Sequence, residues 1–71
     1  MYIKRIRDLR IDNDMTQQDL AQKLNLHLTQ YCRYERGESD VPNEILIKLA
    51  KIYNVTTDYI LGLSNNKNNK E

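Results

Sequence analysis

TQQDLAQKLNLHLTQYCRYERG, residues 16–37, holds two short helix-forming runs joined by only three residues. Thr16 stands three residues before Asp19 and just ahead of Leu20, Ala21 and Leu24. A hydroxyl at that place accepts a hydrogen bond from the third helical amide, and an acid there returns one, so a helix starts at Gln17. It closes at Leu24, because Asn25 is the best non-glycine residue for a left-handed turn. The second run spans Leu28 to Arg36 and stops at Gly37. Asn25, Leu26 and His27 form a link with one apolar residue in its middle. With Leu26 filling the corner, the two helices cross at a steep angle instead of lying antiparallel.

At about 100° per residue, the second of these helices has two faces. Tyr31 and Tyr34 point to the core, whereas Thr29, Cys32, Arg33 and Arg36 point away from it, with Leu28 exposed at the N-terminal end. Such a slim face, positive at its far end, fits the major groove of DNA. Arg33 has the reach and the planar fork to engage the O6 and N7 acceptors of guanine. Leu28 and Thr29 offer methyl contacts to thymine, and Thr29 also a hydroxyl. The start of the preceding helix suits a backbone phosphate, with Gln17 and Gln18 as side-chain donors. The pair therefore reads as a helix-turn-helix directed at duplex DNA.

The same periodicity extends to both sides. Ile3, Ile6, Leu9 and Arg10 mark a first helix over about residues 3–13, ended by Asn13 and Asp14. Pro42 suits the first turn of a fourth helix carrying Ile45, Leu46, Leu49, Ala50 and Ile52 or Tyr53, and Asn54 breaks it. Thr56 or Thr57 caps a short fifth helix through Tyr59, Ile60 and Leu61, stopped by Gly62. No run alternates with the period of a strand. The expectation is an all-α fold, five helices in one domain over residues 1–63, followed by a disordered polar tail, SNNKNNKE, at 64–71. Ile60, Leu61 and Leu63 read as a core edge or, in preference, as a dimer contact.

With 71 residues, 39% hydrophobic and 30% charged, the chain has the composition of one small globular domain. The net charge of +1 gives no global sign of a nucleic-acid partner. Lys4 and Arg5 read as a solvated helix face, and Arg7 is open. No apolar run approaches the roughly 20 residues that cross a bilayer, and no signal-peptide core follows the charged N-terminus, which points to the cytoplasm. Cys32, the single cysteine, excludes an internal disulfide framework. The two glycines lie far apart, so no phosphate-cradling loop exists, and His27 with Cys32 lacks the spacing of a metal site. No enzyme, cofactor or metal is expected.

Several pieces together resemble the Cro/repressor, or XRE, helix-turn-helix family. They are TQQDLAQKL, RYERG at 33–37, Pro42 after it, LAKIYNVTTDYILG at 49–62, and Arg10 with Ile6 four residues before it. The resemblance covers about residues 3–63. It implies a compact five-helix bundle that binds operator DNA as a two-fold homodimer. It also implies that Arg10 pairs with Glu35, locking the first helix to the third. Positions matching Gln17, Leu28, Thr29 and Arg33 are where such proteins meet DNA, and the stretch from Arg36 through Ser39 to Asn43 approaches phosphates. The chain departs from the family pattern at Asn25, where glycine is common, and at His27, a poorer N-cap than the usual serine or threonine. It departs again at Glu38-Ser39-Asp40, where lysine or arginine is common, which lowers the expected nonspecific affinity. The function expected is that of a sequence-specific transcriptional regulator, a repressor of the phage or mobile-element kind. The alternative is an antitoxin or other interaction module that neutralises a partner protein.

Overall fold

In the computed structural model, which describes residues 2–65, the chain folds as five α-helices with no strand among the described residues. They are α1 (Lys4–Asp12), α2 (Gln17–Lys23), α3 (Leu28–Arg36), α4 (Asn43–Tyr53) and α5 (Thr57–Leu61). Met1 and residues 66–71, most of the expected tail, lie outside the described residues.

The ends of the helices follow from side-chain chemistry. Thr16 Oγ1 accepts from the Asp19 amide at 3.0 Å and Asp19 Oδ2 accepts from the Thr16 amide at 3.0 Å, a complete capping box at the start of α2. The Asp19 carboxyl is held below its ordinary value by these bonds, first of all that from the Thr16 backbone. Thr56, not Thr57, caps α5 by accepting from the Tyr59 amide at 3.0 Å. Asn25 and Asn54 take left-handed backbone angles, φ 58° and 55°, where the sequence places helix stops. Pro42 sits one residue earlier than expected, as the N-cap of α4 with an extended ψ of 155°, so the helix proper begins at Asn43.

Every helix contributes to one core. Ile6 from α1, Leu20 from α2, Tyr31 from α3, Leu49 from α4 and Ile60 from α5 are each fully buried, together with Leu24 at the end of α2. Removing side chains of this size from water stabilises by about 1.5–3 kcal/mol apiece. Leu26 is partly buried against the same cluster, filling the corner between α2 and α3. α2 packs chiefly on α3, α4 on α5, and α1 on both α3 and α5.

Two expectations are corrected here. Ile60 is 1% exposed, so it belongs to the core of the single chain and offers nothing to a dimer contact. Arg5 is not a solvated charge. Its Nη1 donates to the carbonyls of Tyr59 and Ser64, each at 2.8 Å, and its Nη2 to Asn65 Oδ1 at 2.8 Å. Its guanidinium also lies over the Tyr59 ring, 4.2 Å from the centroid. The first two residues of the expected disordered tail are therefore held by α1.

Candidate nucleic-acid interface

The inner face of α3 carries Tyr31, Tyr34 and Glu35, all buried. Hydrocarbon and aromatic neighbours disfavour a carboxylate unless its oxygens are bonded. Glu35 has donors from three helices. Arg10 of α1 donates through Nε to Oε2 at 2.6 Å and through Nη2 to Oε1 at 3.3 Å. Gln17 of α2 donates through Nε2 to Oε1 at 3.0 Å, and Tyr31 of α3 through its hydroxyl to Oε2 at 2.5 Å. Burial pushes the Glu35 carboxyl up, but the bonds from Arg10, Tyr31 and Gln17 outweigh it, so it ionises below its ordinary value. The remaining Nη1 of Arg10 reaches the Met15 carbonyl at 2.8 Å and ties down the turn before α2. The pairing of Arg10 with Glu35 that the resemblance implied is present, and it fixes α1, α2 and α3 against one another.

That network holds the outer face of α3 in place. Leu28 is 41% exposed although it is a large apolar residue, and Thr29, Arg33 and Arg36 are exposed along the same side. Cys32 is half-buried between them and is a free thiol. The helix begins at His27 without a side-chain cap bond, as its poor capping chemistry implies. It ends at Gly37, whose φ of 79° turns the chain back so that the Glu38 amide donates to the Arg33 carbonyl at 2.9 Å.

Of the residues assigned to phosphate, Gln18 at the start of α2 and Asn43 at the start of α4 are exposed, and Ser39 is half-buried. Gln17, the other α2 residue expected as a side-chain donor to phosphate, already uses one donor inside the protein. It is half-buried, and its amide nitrogen is engaged by Glu35. Arg36 is also engaged, pairing through Nε and Nη2 with both carboxylate oxygens of Glu38, at 3.0 and 3.2 Å. Sequence reasoning missed the Glu35–Gln17 bond because it joins residues on different helices, 18 positions apart. The Arg36–Glu38 pair was within reach of a local reading, since only Gly37 separates the two.

Residues 6–60 match the helix-turn-helix family model. The chain is 37% identical over 70 residues to the uncharacterized HTH-type transcriptional regulator YobD of Bacillus subtilis (strain 168), covering 99% of this chain and 62% of YobD. It is 41% identical over 59 residues to the HTH-type transcriptional regulator ImmR of the same organism, covering 83% of this chain and 46% of ImmR. It is 36% identical over 55 residues to the cryptic phage CTXphi transcriptional repressor RstR of Vibrio cholerae, covering 78% of this chain and 50% of RstR. The chain thus spans about half to three-fifths of the length of these relatives. With α2 packed on α3 across the short link at 24–27, Arg10 paired to Glu35 and residues 6–60 matching the family model, the chain belongs to the helix-turn-helix family of Cro/repressor type, a DNA-binding class without enzymatic activity.

Proposed function

We propose that the protein is a sequence-specific regulator of transcription, a repressor, that binds a two-fold-symmetric operator in duplex DNA as a homodimer. The observation that carries this reading is the outer face of α3, where Leu28, Thr29 and Arg33 stand exposed on a helix whose inner face is locked by Glu35. Against base edges, Leu28 offers a methyl contact to thymine and Arg33 a two-point bond to guanine. Gln18, Arg36, Ser39 and Asn43 flank that face and position it on phosphates. Gln17 retains one amide hydrogen beyond its bond to Glu35, and that hydrogen serves a phosphate in an orientation the buried carboxylate fixes. Leu63, 76% exposed, and half-buried Leu61 supply the apolar surface for a second copy. Such a regulator works in the cytoplasm, and among the described residues no helix is long and apolar enough to cross a membrane.

Selection of random duplex DNA on the purified protein, at two salt concentrations, tests the reading. Enrichment of an inverted repeat with half-sites about one helical turn apart is the expected result. Binding that falls with salt but enriches no sequence would overturn it and direct attention to a protein partner of the antitoxin kind.

A further inference from the structure

Arg36 is the last residue of α3 and lies exposed on its outer face, yet its guanidinium is already matched. Its fork meets both oxygens of Glu38 at 3.0 and 3.2 Å, the two-point geometry that a guanidinium also uses on phosphate. A carboxylate and a phosphate compete for the same donors, so an Arg36 bound to Glu38 is withheld from the DNA backbone. Both side chains are exposed, but the turn between them is fixed by the backbone, which keeps Glu38 within reach of Arg36. Gly37 turns the chain in the left-handed region, and both Glu38 and Ser39 amides return to the Arg33 carbonyl, at 2.9 and 3.4 Å. A Cβ at Gly37 would lie 2.9 Å from Cα and Cβ of Tyr2, so the N-terminal segment closes over this turn and leaves it little freedom. The Glu38 carboxyl is held below its ordinary range by the bond from Arg36, then by the charges of Arg36 and Arg33, so it stays ionised across the neutral range.

We infer that Glu38 sets the strength of sequence-independent DNA binding, by holding the Arg36 guanidinium off the phosphate backbone until a well-fitted site displaces it. This rests on the reading of α3 as a DNA-recognition helix. Arg33, which has no carboxylate partner among the described residues, keeps its base-reading role, while the phosphate contact beside it is attenuated. The consequence is a lower background of binding to random DNA at little cost to a cognate site, where contacts elsewhere hold the phosphate close enough to compete.

The test is a double-mutant cycle on a fluorescent random-sequence 24-base-pair duplex (roughly two helical turns), with dissociation constants measured across a salt series. Wild type, Glu38→Gln, Arg36→Gln and the double variant are compared, and both substituted positions are exposed. Releasing one arginine to a phosphate steepens the dependence of log affinity on log salt by about one. Glu38→Gln is expected to show that steeper slope and to tighten binding by roughly three- to tenfold at low salt. In the Arg36→Gln background the same change should yield little. An unchanged slope in Glu38→Gln overturns the inference. So does an equal gain with and without Arg36, which would mean that Glu38 merely repels phosphate. A wild type that binds no duplex at any salt concentration overturns the DNA reading itself, an outcome distinct from both.

Discussion

Arg33 and Tyr53 show what a single side chain contributes and how it is checked. Arg33 lies exposed in the last turn of α3. If its fork reads a guanine, Arg33→Ala costs about 1–3 kcal/mol at the selected site and relaxes the choice at one base pair. Equal losses on the selected site and on random duplex would remove it from base reading. Tyr53 presents the opposite case. Its hydroxyl is buried without a hydrogen-bond partner among the described residues, and burial pushes its pKa up to about 12. A buried polar atom that gains nothing costs about 1–3 kcal/mol in desolvation, so Tyr53→Phe is expected to leave stability unchanged or raise it by up to about 1 kcal/mol. A loss above 1 kcal/mol in urea unfolding would show that the hydroxyl is bonded in solution.

At the scale of the helix, the two halves of the recognition unit are capped unequally. α2 starts on a complete capping box, whereas α3 starts on His27 with no side-chain bond to its first amides. The N-cap angles of His27, φ −68° and ψ 145°, already suit a capping residue, so only the acceptor is missing. His27→Ser therefore should stabilise the domain by about 0.5–1 kcal/mol, read as a raised melting temperature. No change would mean that the exposed imidazole already satisfies the helix start in solution. Arg5 works at the same scale on α5. By donating to the Tyr59 carbonyl it meets an acceptor in the last turn of that helix, and by donating to Ser64 and Asn65 it anchors the segment beyond it.

For the molecule as a whole, the buried polar network sets the range of pH in which the fold holds. Glu35 ionises more readily folded than unfolded, because Arg10, Tyr31 and Gln17 favour its charged form. A depressed carboxyl stabilises above its unfolded value, about 4.3, and that contribution disappears as pH falls below it. Asp19, held down by the Thr16 backbone and side chain, adds in the same direction. Tyr31, raised by burial and then by Glu35, and Tyr53, raised by burial, favour the neutral form when folded. Groups of that kind stabilise below the unfolded value of about 10 and lose the contribution as pH climbs past it. The melting temperature is therefore expected to be flat through neutrality, to fall below about pH 4 and to fall again above about pH 10. The alkaline fall should be shallower in Tyr53→Phe, and an identical profile in that variant would count against a perturbed Tyr53.

The local chemistry of residues 16–37 was enough to determine where α2 and α3 start and stop. Thr16 with Asp19, Asn25 and Gly37 act through bonds and backbone angles within a few positions of themselves, which a linear pattern displays. The same holds for the inward phase of Tyr31 and Tyr34, since helical periodicity alone separates the faces. Arg10 and Glu35 were paired through family resemblance, not through spacing, because 25 positions separate them. Only the tertiary structure decided that Gln17 joins that pair, that Arg5 reaches across 54 positions to Tyr59, and that Ile60 is sealed inside the core. The physical reason is common to all three. Whether an amide, a guanidinium or an isoleucine meets solvent or a partner depends on how α1, α2 and α5 pack, and packing brings together residues that no local period relates.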